Sequence, residues 1–156
     1  MISTSTAAVI KAVACKGILA AAALAILAVG ATAAEIPDPI RAEYEKADEY
    51  ACKLPARAVQ RVNLQGDGTP FYVVDEGKLA CKGSPFCGSG GCGLAVYKKT
   101  ADGYKAILTE LVQRHSFRKA GAGTELLLEY KTVGKARYRF ENGCAIEIGT
   151  RKPPAC

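Results

Sequence analysis

Six cysteines between residues 52 and 156 constrain the fold of this chain more than any other feature. They are Cys52, Cys81, Cys87, Cys92, Cys144 and Cys156. An even number of cysteines in a small exported domain is typical of a disulfide framework. Six cysteines can pair in many ways, and the sequence alone does not choose among them. The arrangement that we expect is Cys87–Cys92 across Gly88–Gly91, Cys144–Cys156 and Cys52–Cys81.

A zinc site at Cys81, Cys87 and Cys92 is the alternative use of these residues. Structural zinc sites favour closer cysteine pairs than the spacings found here. Export to an oxidising compartment also consumes the thiolates that a metal would need. We therefore expect disulfides, with no metal and no cofactor.

The N-terminal segment indicates that the chain is exported. Two lysines precede an uncharged apolar run from Gly17 to Gly30, and small residues follow up to Ala34. This order is typical of a secretory signal peptide, with cleavage after Ala33 or Ala34. A retained membrane anchor is the alternative, although the run is near the lower length limit for a span. We predict a signal peptide over residues 1–34, a periplasmic or secreted location, and no stable membrane span after cleavage.

The remaining residues, 35–156, have the length of a single domain. The whole chain has a formal net charge of +6, and two of its lysines belong to the predicted signal peptide. A charge this small and this mixed in sign does not indicate a nucleic-acid partner.

One amphipathic helix is predicted at the start of this domain. Asp38 before Pro39 is a start signal, and Pro55 marks the far end. Between them an apolar stripe recurs at helical spacing: Ile40, Tyr44, Ala47, Ala51 and Leu54. We expect this helix to pack on the rest of the domain. Binding to a membrane or to a partner is the alternative, and the narrow stripe disfavours it.

After Pro55 the apolar residues recur with a period of two, which is typical of β-strands. Strands are predicted at 57–64, 70–75, 93–99, 104–112, 114–118, 124–131, 135–140 and 144–148. The sequence therefore predicts a disulfide-stabilised α+β domain. In it, the N-terminal helix packs on a mostly antiparallel β-sheet that ends in a three-stranded meander.

The register of this meander follows from two glycine-bearing turns. Three-residue loops at 132–134 and 141–143 would each place glycine third, where a left-handed conformation is needed. The first loop pairs Leu128 with Tyr138, and the second pairs Tyr138 with Ile146. One face of the meander is then apolar and is expected in the core: Leu126, Leu128, Tyr130, Ala136, Tyr138, Phe140, Ile146 and Ile148.

The loop from Asn63 to Gly68 has oxygen-bearing side chains at alternate positions, as calcium loops do. Only Asp67 among them is charged, so a turn between strands is the expected structure. The run 66–75, followed by 87–92, resembles segments of small exported bacterial proteins of unknown function. Those segments are similar to the Asp-rich loops of FG-GAP-type β-repeats. The resemblance implies no activity, and this chain departs from it at Asn63, Gln65 and Phe71, where acids would be expected.

Residues for catalysis are few. His115 is the one histidine, which excludes zinc hydrolases with several histidine ligands. Ser116 is its neighbour, but adjacent strand residues point to opposite faces. We predict an exposed His115 and a protein that is not an enzyme. A groove that gathers His115 with acids from distant strands would favour an enzyme instead.

Two surfaces are candidates for binding. Pro85 and Phe86 are predicted at the tip of the loop Cys81–Cys92, where they would contact a protein partner of the envelope in an inhibitor-like or immunity-like manner. The alternative is an anionic envelope polymer held by Lys135, Arg137 and Arg139, which alternate along one strand.

A solvated strand face is the simplest interpretation of those three cations. Glu129 and Glu147 would then neutralise Arg137 across the two hairpins.

Overall fold

The computed structural model describes residues 35–46 and 49–156 of the chain. The predicted signal peptide lies outside the described residues. Within the described ranges, no helix combines the length and the apolar character that crossing a membrane requires. Antiparallel β-sheet is the main regular structure of the described chain, and three disulfides cross-link it.

Helix α1 spans Asp38–Tyr44, and short 3₁₀ turns span Ala56–Ala58 and Glu76–Lys78. Nine strands follow one another within the described residues. They are β1 (Val59–Val62), β2 (Phe71–Asp75), β3 (Cys87–Gly88), β4 (Gly91–Thr100), β5 (Gly103–Val112), β6 (Arg114–Ala120), β7 (Gly123–Tyr130), β8 (Gly134–Glu141) and β9 (Cys144–Glu147). Eight of them coincide with the predicted strands to within a few residues; β3 was not predicted.

The strands form two sheets. In the first, β4 pairs with β2, β3 and β5, and β1 pairs with β2. The second is a meander in the order β6-β7-β8-β9. Gln113 alone connects β5 to β6, so the chain passes directly from one sheet to the other. All strand pairs among the described residues are antiparallel, which agrees with the predicted mostly antiparallel sheet. The prediction of a single sheet that ends in a three-stranded meander is wrong, because the strands form two sheets and the meander has four strands.

The main core is formed by apolar side chains from both sheets. Because strand residues alternate between two faces, every second residue of β2, β4, β7 and β8 points inward. The largest of these belong to one buried cluster: Phe71, Val73, Leu94, Val96, Leu126, Leu128, Tyr138 and Phe140. The two sheets therefore pack face to face, as in a sandwich.

A second apolar cluster covers the other face of the first sheet. Ile40 and Tyr44 of α1, together with Leu54, pack there against Val74 and Tyr97. The sequence predicts a helix that continues to Leu54. Instead Glu45 accepts a hydrogen bond from the Leu54 backbone at 2.9 Å, and residue 53 forms a bridge with residue 80.

Of the two remaining residues of the predicted stripe, only Ala51 can be compared with a continuous helix, and its conformation differs from one. Ala47 lies outside the described residues, and Ala51 has a φ of 43°. Asp38 is the first helical residue rather than the cap, because the cap position belongs to Pro37.

The three disulfides are Cys52–Cys81, Cys87–Cys92 and Cys144–Cys156, the arrangement expected from the sequence. The first is next to the bridge between residues 53 and 80. The second joins β3 to β4, whose residues 87 and 92 are direct partners. The third attaches the C-terminus beside β9, where Ala145 and Ala155 also pair. Three disulfides are compatible with an oxidising compartment.

The predicted register between β7 and β8 is wrong by two residues. Leu128 pairs with Ala136, and Glu129 pairs with Lys135. The reason is that Gly134, with a φ of 85°, is the first residue of β8 and pairs with Tyr130 instead of ending the loop. A shift of two residues leaves every side chain on its predicted face.

The predicted register between β8 and β9 is wrong by one residue, which exchanges the faces of β9. Asn142 and Gly143 have φ values of 51° and 74° and form a two-residue turn, the geometry that an Asn-Gly pair favours. Glu141 therefore pairs with Cys144, and the buried residue of β9 is Ala145. Ile146 pairs with Arg139 outside the core, and half-buried Ile148 is not part of the core cluster either.

Candidate functional site

Phe86 does not project from the tip of its loop. Its ring is half-buried in the cluster under α1 and meets the ring of Tyr44 edge to face, with a centroid distance of 5.9 Å. The backbone N–H of Gly93 also donates to the Phe86 carbonyl at 2.8 Å. Pro85 remains exposed. The two residues thus have different environments, and Phe86 belongs to the packing of the fold.

The predicted cations of β8 lie on the outer face of the second sheet. Tyr138 and Phe140 point into the core, so Lys135, Arg137 and Arg139 point outward. Their side chains are exposed by 75%, 46% and 54%.

Strand β6 adds two further cations to this surface. Arg114 and Arg118 are exposed and lie opposite Glu129 and Glu125 of β7, which occupy the same outer face. We call the resulting set the basic face: Arg114, Arg118, Lys135, Arg137 and Arg139. The pairing of β6 with β7 and of β7 with β8 places these five side chains on one face of the sheet.

Carboxylates compensate the basic face only in part. Glu125 bonds Arg118 at 2.5 Å and lies 4.0 Å from Arg137, so a single acid serves two arginines. Lys135 is 3.9 Å from Glu129, and Arg139 is 3.0 Å from Glu141. The face therefore keeps more positive than negative charge.

The predicted partners of Arg137 were wrong. Glu129 pairs with Lys135, and Glu147 forms an ion pair with Lys152 at 2.8 Å. Both differences follow from the shifted registers, which bring Glu125 rather than Glu129 near Arg137.

The prediction that His115 is exposed is wrong. Only 11% of its side chain is accessible, and its ring meets that of Phe117 at a centroid distance of 5.9 Å. Its Nε2 lies 3.5 Å from Gln60 Nε2, and its Nδ1 lies 4.0 Å from Asp75 Oδ2. Burial lowers the pKa of His115, while the nearby Asp75 carboxylate acts to raise it. The imidazole is therefore mainly neutral at neutral pH.

His115 and Asp75 line a cleft of about 500 Å³ to which the end of β2 and the start of β6 contribute. Lys78 and Arg114 also line this cleft. Lys78 Nζ bonds Asp75 Oδ2 at 2.8 Å. The sequence gives no direct signal for this group, because β2 and β6 belong to different sheets.

The groove gathers His115 with one acid from a distant strand, and no serine, threonine or free cysteine is among the described residues that line it. Ser116 points to the opposite face from His115 and is exposed. The distance between His115 and Asp75 exceeds that of a hydrogen bond. Among these residues the geometry of acyl transfer, a nucleophile hydrogen-bonded to its base, is therefore not found.

The loop from Asn63 to Gly68 forms the expected turn. Asn63 Oδ1 accepts from the Gly66 backbone at 2.7 Å, and Asp67 Oδ1 accepts from Thr69 at 2.8 Å. These side-chain oxygens act as Asx-turn acceptors. In the described part of the chain, no group of three or more His, Cys, Asp or Glu residues is placed to hold a metal ion.

Comparisons with known protein families, with curated proteins and with solved structures find no match for this chain. Its candidate sites therefore rest on its own residues: the basic face and the cleft beside it.

Proposed function

We propose that this protein is an exported, non-catalytic binding protein that holds an anionic polymer of the bacterial envelope on the basic face. The observation that supports this proposal is the excess of exposed cations on one face of the second sheet. A strand repeat places Lys135, Arg137 and Arg139 every second residue, about 7 Å apart along β8. A row of this kind complements a linear polymer with regularly spaced negative groups better than it complements a single small anion.

The rigidity of the domain supports binding by a preformed surface. The face is built on three hydrogen-bonded strands, and the sheet beneath it is anchored by the core and by the Cys144–Cys156 disulfide. The backbone of such a scaffold loses little conformational freedom on binding. A periplasmic or secreted location, with removal of residues 1–34, is part of this proposal.

The inhibitor-like alternative has less support. It required Phe86 as an exposed anchor, and the ring is instead packed against Tyr44. Pro85 alone offers little area for a protein interface.

The test compares binding of two labelled polyanions, polygalacturonate and polyphosphate, to the protein and to a variant with Lys135, Arg137 and Arg139 all changed to Gln. We expect the variant to bind at least about tenfold more weakly, because several charge-assisted contacts are lost together.

The matched control changes the exposed cations Lys53, Arg57 and Arg61 to Gln, which removes the same net charge from another part of the domain. We expect its affinity to stay near that of the unchanged protein. Equal losses in the two variants would show that only net charge matters and would contradict the proposal. Absence of binding to either polyanion would do so as well.

A further inference from the structure

The cleft that contains His115 has the size of a ligand site. Its volume of about 500 Å³ lies within the range of small-molecule pockets. A single sugar ring fits in such a space. Two separate chain segments supply its polar groups. Asp75 ends β2 and Lys78 follows it, and Arg114 and His115 are at the start of β6.

The charges of the cleft suit one negative group. The ammonium of Lys78 is compensated by Asp75 at 2.8 Å. Among the described residues, no carboxylate lies within ion-pair distance of Arg114. A guanidinium binds a carboxylate through two parallel hydrogen bonds. A net single positive charge complements a carboxylate better than a phosphate group, which carries about −1.5 to −2.

The remaining polar groups suit hydroxyls. A neutral imidazole offers one donor and one acceptor, and the Asp75 carboxylate is an acceptor. Sugar hydroxyls both donate and accept, so they can satisfy these groups. His115 is oriented by its contact with Phe117 and by its position near Gln60, so its ring is held in the cleft rather than free in solvent.

Arg114 connects the cleft to the basic face. Arg114 begins β6, the outermost strand of the second sheet, so its long side chain can bend around the strand edge towards the cleft that it lines with His115, although its position opposite Glu129 is on the outer face. Glu129 in turn pairs with Lys135. A polymer that runs along the face therefore reaches the cleft at Arg114.

We propose that the cleft binds one uronic acid unit of this polymer, with the carboxylate on Arg114 and the hydroxyls on His115 and Asp75. This inference rests on the proposed function for the source of the ligand. It assigns the polymer to the polyuronates, whose every unit carries a carboxylate.

The experiment uses the imidazole resonance of His115, which is unique because the chain has a single histidine. Galacturonic acid, galactose and inorganic phosphate are titrated separately onto the oxidised protein while that resonance is followed by NMR. We expect a saturable shift with galacturonic acid, and binding at least about tenfold weaker with galactose, which lacks the carboxylate. Phosphate is expected to bind more weakly than galacturonic acid.

Two variants locate the binding. Arg114→Gln should weaken galacturonic acid binding by about tenfold, because it removes the bidentate partner. Arg57→Gln is the control: Arg57 is an exposed cation outside both the cleft and the basic face, so the variant should leave binding of the monomer unchanged.

Failure of this inference is distinct from failure of the proposed function. No shift with galacturonic acid, tighter binding of phosphate, or no effect of Arg114→Gln would overturn the uronate site, even where polymers still bind the basic face. A saturable, Arg114-dependent shift would support the site even if the triple variant of β8 bound polymers normally.

Discussion

The half-buried carboxylate of Glu76 is the end of a hydrogen-bond network that includes two tyrosine side chains. Tyr44 donates to Glu76 at 2.7 Å, and Tyr97 donates to the Tyr44 oxygen at 3.0 Å. Burial raises the pKa of Glu76 above its ordinary value, although the hydrogen bond from Tyr44 acts to lower it. A Cβ at position 93 would come within 1.8 Å of Glu76 Oε2, so any larger residue there would displace this carboxylate. The network links α1 to the first sheet.

The pH dependence of stability should carry the signature of Glu76. A raised pKa means that the folded protein holds this proton more tightly than the unfolded chain does. Its contribution to the free energy of unfolding is thus complete below the ordinary glutamate pKa and is lost as pH rises through the folded pKa. Glu76→Gln keeps the side chain neutral, so we expect the stability difference between the variant and the unchanged protein to shift in favour of Gln as pH rises.

Urea unfolding from about pH 4 to about pH 8 measures that difference. Glu45, whose pKa is lowered chiefly by the backbone N–H of Leu54, contributes with the opposite sign. It is present in both proteins and therefore cancels in the comparison. A stability difference that is constant over this range would contradict the assignment to Glu76.

Phe86 should matter for folding and not for polymer binding. Its ring packs on Tyr44 in the cluster under α1. We expect Phe86→Ala to lower the free energy of unfolding by about 2 kcal/mol, less than for a fully buried ring. The neighbouring Pro85→Ala is the control, with a change below about 0.5 kcal/mol at an exposed position. Normal stability of Phe86→Ala together with lost binding to an envelope protein would restore the inhibitor-like hypothesis.

At the scale of elements, the loop between β1 and β2 contacts the turn between β6 and β7. Leu64 accepts a hydrogen bond from the Thr124 backbone at 3.0 Å. Gly66 is part of this contact, because a Cβ on it would lie 2.4 Å from the Ala122 backbone. Gly68 has the same φ of 87°, but a Cβ on it would have nothing within 4 Å. Alanine substitutions at the two glycines therefore distinguish the cost of backbone strain, which both would have, from the cost of a steric clash, which only position 66 would have.

Gly68→Ala should cost about 1 kcal/mol of stability, from strain in the left-handed conformation alone. Gly66→Ala should cost at least about 2 kcal/mol more, since the backbone of the facing turn must also move. Thermal or urea unfolding of both variants provides the comparison. Equal costs would show that the contact between this loop and the β6–β7 turn contributes nothing.

The strands were predictable because their alternation is local, whereas the registers depend on single turn residues. Asn142-Gly143 is a strong two-residue turn signal. A three-residue loop at this position would place Ile146 on the core face, whereas the observed two-residue turn places it outside the core. The helix was predicted too long because an apolar stripe does not reveal that residue 53 pairs with residue 80.

At the scale of the whole molecule, the candidate sites arise from contacts that local patterns do not encode. The alternation of Lys135, Arg137 and Arg139 was visible, yet their partnership with β6 required the β6–β7–β8 register. The His115 cleft required contributions from two sheets. The sequence predicted an exposed histidine because a strand pattern by itself does not show what covers each face.

The dependence of polymer affinity on salt tests the binding role of the basic face most directly. Polygalacturonate affinity is measured from about 20 mM to about 300 mM NaCl, a range over which the screening length falls severalfold. We predict a steep fall in affinity for the unchanged protein, and a clearly shallower fall for the variant with Lys135, Arg137 and Arg139 changed to Gln. The variant with Lys53, Arg57 and Arg61 changed to Gln should keep the steep dependence. Identical slopes for all three proteins, or an affinity that salt does not change, would contradict the role of the basic face.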